Sequence, residues 1–328
     1  MTDYPPIATW PAGQARPFWS VMIPTYEPNP DYLARTLVAV LEQDPGPATM
    51  EIALVDDGSR TVDPRESVPA GARDRVSWFP GQRHVGIGRN WNACIEHARG
   101  QWVHILHQDD LVLDGFYERL RAGIASAPAV GAAFCRDVII GAEGERIGRQ
   151  RFIRSTPGIV EDWIEHVFVG LDLRASALVV KRDVYEAIGG FRLDLQYALD
   201  WDMWKRIAAA YPLWYEPEPL ACYRRHRGRA TGTFMRTGAN IAEIGRSIEL
   251  SVSLLPPSVA ASATSRARDY YTEYAVLMAW RALTEGDLRS SLAQIRNARG
   301  LTSTVKVARE IVRLCAHGVR PPSSTVRA

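Results

Sequence analysis

Cysteine is scarce in this chain. The 328 residues hold four, Cys94, Cys135, Cys222 and Cys315, far apart and without a CxxC pair. That spacing excludes a zinc knuckle or a disulfide framework, and buried thiols in a reducing compartment are the expectation. Long apolar runs are absent too: no stretch of 18 apolar residues occurs, so no membrane-spanning helix is expected. The segment from Met1 to Pro17 lacks a basic start followed by an apolar core and carries Pro5, Pro6, Pro11 and Pro17. It is unlike a secretory leader, and a soluble cytoplasmic protein is the resulting expectation. Nor does one charge dominate: 39 basic residues against 37 acidic ones leave a formal net charge of +2. Such a chain has no general footprint for coating nucleic acid, and no nucleic-acid partner is expected.

What is present is ordinary globular composition, 46% hydrophobic and 23% charged. It suffices for a large core and, at this length, for one large or two smaller domains. Strand patterns at Phe18–Ile23, Glu51–Val55, Val76–Phe79 and Trp102–Leu106 alternate with helical spacing over Pro30–Gln43 and Asn90–Ala98. In the first helix Leu33, Leu37, Val40 and Leu41 fall on one face. This alternation predicts an α/β fold with a mostly parallel sheet flanked by helices. Further on, Ala132–Arg151 predicts a hairpin around the turn from Gly141 to Gly144, Ala175–Val180 a strand, and Arg182–Ile188 and Asp200–Tyr211 helices. After Gly238 the pattern is wholly helical, with helices expected near Asn240–Leu255, Ser265–Thr284, Leu288–Ala298 and Thr304–Ala316.

In sheets of this kind ligands sit beyond the carboxyl ends of the strands. Three strands here end in polar residues: Pro24-Thr25-Tyr26, Asp56-Asp57-Gly58-Ser59 and Gln108-Asp109-Asp110. Adjacent carboxylates at a strand end are costly if buried unpaired. A hard divalent cation such as Mg2+ or Mn2+ neutralises them and still accepts phosphate oxygens. Taken alone, each Asp-Asp pair reads more readily as a solvated turn or helix cap. His84-Val85-Gly86-Ile87-Gly88-Arg89-Asn90 is a glycine-rich turn entering a helix, where an anion can bind and Arg89 can reach a diphosphate. Asp200 stands at the start of a helix below Gly189-Gly190-Phe191, as a cap or a general base. Tyr223-Arg224-Arg225-His226-Arg227-Gly228-Arg229 is either a diphosphate-facing basic segment or a solvated charge run.

Together, and in this order, these segments resemble the inverting family 2 glycosyltransferases of the GT-A fold. The resemblance runs from about Ser20 to Thr231 and rests most on Val21-Met22-Ile23-Pro24-Thr25-Tyr26, Val55-Asp56-Asp57-Gly58-Ser59 and His107-Gln108-Asp109-Asp110. Ala198-Leu199-Asp200-Trp201-Asp202-Met203-Trp204 and Tyr223-Arg224-Arg225-His226 extend it. It implies a GT-A catalytic domain over residues 18–237, an N-terminal extension over 1–17 and a helical region over 238–328. It implies transfer of a sugar from a nucleoside diphosphate sugar, UDP- or dTDP-linked, to an acceptor hydroxyl by single displacement, with Mn2+ or Mg2+ as cofactor. Thr25, Tyr26, Glu27, Asp56 and Asp57 are then placed around base and ribose, Arg89 and Arg225 at the diphosphate, and Asp109 at ribose or a metal-bound water. Asp110, joined by His226, would hold the metal. Asp200 matches the position of the catalytic base, although Leu199 replaces the glutamate that usually precedes it. From their position alone, Trp163, Tyr197 and Trp201 are candidate platforms for the acceptor, which is a glycan, a lipid-linked glycan or a small natural product.

The helical tail is expected to pack on the rest of the chain or on a second copy, as most amphipathic helices do. Lys306, Arg309 and Arg313 among Val307, Val312, Leu314 and Cys315 leave peripheral membrane contact as the other use. Two competing readings are a non-catalytic nucleotide-sugar binder acting through that tail and a sugar nucleotidyltransferase. The latter needs a glycine-rich, basic loop after the first strand, where Pro24-Thr25-Tyr26-Glu27-Pro28 stands instead.

Overall fold

The computed structural model describes residues 4–11, 13–150, 153–160, 163–170, 173–226, 228 and 231–316. The chain forms two compact units interleaved in sequence, the first from residues 1–161, 173–194 and 210–225, the second from 162–172, 195–209 and 226–328.

The first unit opens with β1 (Trp19–Thr25), buried along its whole length. α1 (Pro30–Leu41) follows, with Asn29 accepting the N–H groups of Asp31 and Tyr32 and Pro30 at its first position. An asparagine cap followed by proline supplies both helix-start signals at once. β2 (Met50–Asp56), β3 (Val76–Pro80), α2 (Ile87–His97) and β4 (Trp102–Ile105) complete the alternating part. Then come β5 (Leu111–Val112), α3 (Phe116–Ser126), β6 (Ala132–Ile140), β7 (Arg146–Arg149) and β8 (Gly158–Val160). In the second unit lies α4 (Trp163–Val169); β9 (Leu178–Lys181) and α5 (Arg182–Ile188) return to the first. α6 (Leu199–Ala210) belongs mainly to the second, and β10 (Leu213–Arg224) to the first. The second unit ends in α7 (Thr231–Thr237), α8 (Ala239–Ser251), α9 (Pro257–Thr284), α10 (Leu288–Leu301) and α11 (Thr304–Ala316).

The ten strands of the described residues form one sheet in the order β3-β2-β1-β4-β9-β6-β10-β5, with β7 on β6 and β8 on β10. From β3 to β4 every pairing is parallel. Beyond β4 the sheet is mixed: β9 runs antiparallel to both β4 and β6, and β10 runs parallel to β6. The chain moves outward from β1 through β2 to β3 and then returns to place β4 on the other side of β1. That reversal opens a crevice at the carboxyl ends of β1 and β4, where open α/β sheets bind ligands. The core beneath it joins Val21, Ile23, Leu33, Leu37, Ile52 and Leu54.

The hairpin around residues 141–144 and the helices at 182–188 and 304–316 match the sequence reading. β10, which sequence did not suggest, carries Pro217 and Pro219, residues that normally break a central strand. Its pairing with β6 absorbs them through register shifts between Glu216 and Ala221. In the second unit α9 packs with α4, α8, α10 and α11. No helix of the described residues is long and apolar enough to cross a membrane.

Candidate active site

The ends of β1 and β2 meet in register, Thr25 opposite Asp56. Asp56 is buried, and all its bonding capacity is turned inward: Oδ1 accepts from Thr25 Oγ1 (3.0 Å) and Ser59 Oγ (2.6 Å), Oδ2 from the N–H of Gly58 (3.0 Å) and Ser59 (2.8 Å). Gly58 has φ +78°, and a Cβ there would meet the Arg83 backbone at 2.6 Å, so glycine alone fits this turn. Asp57, also buried, accepts the N–H of Val85 (2.7 Å) and Gly86 (2.9 Å), and His84 Nδ1 lies 2.8 Å from it. It thereby fastens the glycine-rich turn ahead of α2. Tyr26 is 42% exposed and stacks on His84, with ring centroids 3.9 Å apart.

Glu27 has φ +41°, unusual for a residue with a Cβ. Its carboxylate accepts the hydroxyl of Thr61 and the N–H of Arg60 (2.8 Å), which hold its pKa below the usual value. Its own N–H donates to Ser59 Oγ (2.8 Å). A cavity of about 260 Å3 opens beside these turns, lined by Asp56, Asp57, Phe79, Arg83, Arg89 and Asn90 among others.

The end of β4 differs. Gln108 bridges the crevice, accepting the Tyr26 N–H (2.9 Å) and donating to the Tyr26 carbonyl (3.3 Å). His107, Asp109 and Asp110 bring one ligand atom each within 4.8 Å of one another. Asp110 is 1% exposed; its Oδ1 accepts the Arg224 N–H (2.8 Å), while Oδ2 makes no hydrogen bond among the described residues and has His107 Nδ1 at 3.4 Å. A buried carboxylate oxygen without a hydrogen bond is unfavourable. One imidazole nitrogen and two carboxylates, one of them with such an oxygen, are a donor set that suits Mn2+ and, more weakly, Mg2+.

Thus Thr25, Tyr26, Glu27, Asp56, Asp57, Arg89, Asp109 and Asp110 all lie in the first unit, on or beside the strand ends. Arg225 follows β10, its N–H donating to the Ile140 carbonyl (2.8 Å). His226 lies in the second unit; among the described residues His107 is grouped with the two aspartates. Sequence quoted His107 only as part of a motif, although an i, i+3 spacing to Asp110 was visible.

Asp200 lies in the first turn of α6 and accepts the N–H of Trp201 (2.7 Å). The preceding turn is held by Glu243, whose Oε2 accepts the N–H of Gln196 (2.8 Å), Tyr197 (2.6 Å) and Ala198 (3.2 Å). No sequence signal marked Glu243. The platform reading needs correction for the two tryptophans. Trp163 and Trp201 are 4% and 1% exposed. Trp201 donates to the Val167 carbonyl (2.5 Å) and lies under Lys205 Nζ at 3.8 Å. Both rings are core, with no open face for a sugar; Tyr197 keeps partial exposure. Lys205 itself is fully buried, donates to the carbonyl and hydroxyl of Ser247 (both 2.8 Å), and burial lowers its pKa to about 7.

With this geometry in view, the likenesses to known proteins become specific. Residues 20–189 match the family model described as glycosyl transferase family 2. An uncharacterized protein of Mycobacterium tuberculosis, MT1568, is 28% identical over 272 residues, covering 76% of this chain and 81% of its own. TarS of S. aureus, solved with UDP-GlcNAc, superposes with a TM-score of 0.65 at 13% identity, covering 92% of both chains. The mannosyltransferase PcManGT of Pyrobaculum calidifontis, solved with GDP-Man and Mn2+, gives 0.60 at 18% identity over 97% of this chain and 84% of that one. The sheet with its reversal at β1 and β4, flanked by helices and followed by a helical region, is the GT-A fold. The family match spans over half of the chain, and the chain belongs to glycosyl transferase family 2 as a glycosyltransferase.

Proposed function

We propose that this glycosyltransferase moves a sugar from a UDP- or dTDP-linked donor to an acceptor hydroxyl with inversion, using Mn2+ or Mg2+. The observation that carries the metal reading is the buried Asp110 Oδ2, without a hydrogen bond and grouped with His107 and Asp109. PcManGT was solved with Mn2+, which supports the same assignment. Asp110 and His107 would hold the cation, and Asp109 would hold ribose or a water on it. When bound, the cation offsets the charge of the leaving diphosphate.

The chain's own groups do the rest. Tyr26, exposed and backed by His84, offers a ring face to the base. Thr25, Glu27, Asp56 and Asp57 shape the base and ribose turn. Arg89 and Arg225 are assigned to the diphosphate. Asp200, on its family resemblance, takes the proton of the acceptor hydroxyl. The acceptor oxygen bonds to the anomeric carbon as the bond from that carbon to the diphosphate oxygen breaks, and the electron pair leaves with the diphosphate. We assign this chemistry to residues 18–237. Tyr197 is the remaining candidate for acceptor contact.

The acceptor is proposed as a glycan, a lipid-linked glycan or a small natural product. Peripheral membrane contact draws support from α10 and α11, where exposed Leu288, Leu292, Val305 and Val312 stand among Arg289, Arg296, Arg299 and Arg309. Sedimentation with anionic vesicles tests it: binding that 0.5 M salt weakens is expected, and no binding refutes it.

The central test is calorimetric binding of UDP, dTDP, GDP and CDP, each with and without Mn2+. Binding of UDP or dTDP that requires Mn2+ is expected. TarS was solved with a uridine and PcManGT with a guanosine nucleotide, so the guanine arm is the necessary control. Equal binding without metal would overturn the metal reading.

A further inference from the structure

Arg224, the last residue of β10, is fully buried, yet its guanidinium reaches two separate turns of the first unit. Nε donates to the Asp109 carbonyl (2.9 Å), and Nη1 donates to the carbonyls of Gly141 (3.2 Å) and Ala142 (3.1 Å). The guanidinium carbon lies 4.5 Å from the centre of the Tyr32 ring on α1. The backbone N–H of the same residue donates to Asp110 Oδ1 (2.8 Å). One residue therefore holds the carboxylate of Asp110, the main chain of Asp109 and the turn between β6 and β7.

Burying a guanidinium is costly unless its fixed fork of donors is used. Here Nε and Nη1 are spent on main-chain oxygens of two loops rather than on a carboxylate, and Nη2 is buried without a hydrogen bond among the described residues. We propose that Arg224 is a positioning residue for the cation site: it ties the Asp109–Asp110 turn to the β6–β7 hairpin and so fixes Asp110 where its Oδ2 would serve as a metal ligand. This rests on the metal reading above. Sequence pointed to its neighbour Arg225, because a basic run does not show which member the strand end buries.

The proposal has a sign that simple electrostatics reverses. A cation beside metal ligands repels the metal, so removing Arg224 for charge reasons alone would tighten Mn2+ binding. Removing a clamp weakens it, typically by roughly 10–100-fold for groups that orient metal ligands. The test titrates full-length protein with Mn2+ alone, following free Mn2+ by electron paramagnetic resonance, with hydrogen exchange measured on the same samples.

For Arg224→Gln the expected result is at least tenfold weaker Mn2+ binding and faster exchange in residues 108–111 and 141–146, with 19–25 still protected. Arg224→Lys keeps the charge but lacks the fork, and is expected to restore binding only in part. Arg73→Gln, exposed ahead of β3, is expected to change nothing. If Arg224→Gln does not fold, Tyr32→Leu removes the ring beneath the guanidinium and is expected to weaken Mn2+ binding a few-fold. Wild-type protein that binds no Mn2+ overturns the metal reading and this one with it. Wild-type protein that binds Mn2+, with Arg224→Gln or its substitute Tyr32→Leu binding equally or more tightly, overturns the role of Arg224 alone.

Discussion

Two Asp-Asp turns end two strands of one sheet, and they do opposite things. At the end of β2, both oxygens of Asp56 and both of Asp57 have partners within the chain. At the end of β4, Asp110 has one oxygen in a hydrogen bond with Arg224 and one with none among the described residues, although it is as deeply buried. The first pair builds a loop; the second leaves capacity for a ligand. Identical dipeptides after two strands are thus separated by their surroundings: the Gly58-Ser59 turn folds back on Asp56 and the turn ahead of α2 closes on Asp57, whereas Asp110 Oδ2 receives no such donor among the described residues.

The strongest way to break this contrast is Asp110→Ala. Activity is expected to fall to background in a donor-consumption assay, and Mn2+ should no longer strengthen nucleotide binding. Survival of the Mn2+ effect would show that Asp110 is not a ligand. Next comes Asp200→Asn, a carboxylate assigned to proton transfer. Its kcat should fall by roughly 10²–10⁴-fold with nucleotide affinity kept; near-full turnover would remove it as the base. Asp57→Ala sharpens the contrast from the other side. Losing the bonds to Val85 and Gly86 should cost about 1.5–3 kcal/mol of stability by denaturant unfolding, while Mn2+ binding stays within a few-fold of wild type.

The smallest effect concerns Glu27. Its pKa is lowered in the folded chain, so the stabilisation of its turn is complete above the ordinary carboxylate pKa. It is lost only as pH falls through the lowered value. The protection factors of the Arg60 and Thr61 amides, with the intrinsic pH dependence of exchange divided out, are therefore expected to be flat from pH 5 to 8 and to fall in stronger acid. A change within the flat range would contradict the assignment.

Much of this was legible in the sequence. The alternation of apolar runs and amphipathic helices predicted β1 to β4 with their helices, and β1, β2 and β4, buried along their whole length, read as continuous apolar segments. The strand-end acids followed from that topology. β10 did not, because its prolines are tolerated only through register shifts that depend on β6. Trp163 and Trp201 looked like platforms because burial is a tertiary property, unreadable from residue type. Likewise, which carboxylate is satisfied depends on partners as distant in sequence as Arg224 is from Asp110.

The contrast between the two turns is tested most directly by titrating Asp57→Asn and Asp110→Asn with Mn2+ side by side. The expected result is that Asp57→Asn binds Mn2+ nearly as wild type does and Asp110→Asn loses it. Wild-type affinity in Asp110→Asn would contradict the central claim that the oxygen left over at the end of β4 is a metal ligand.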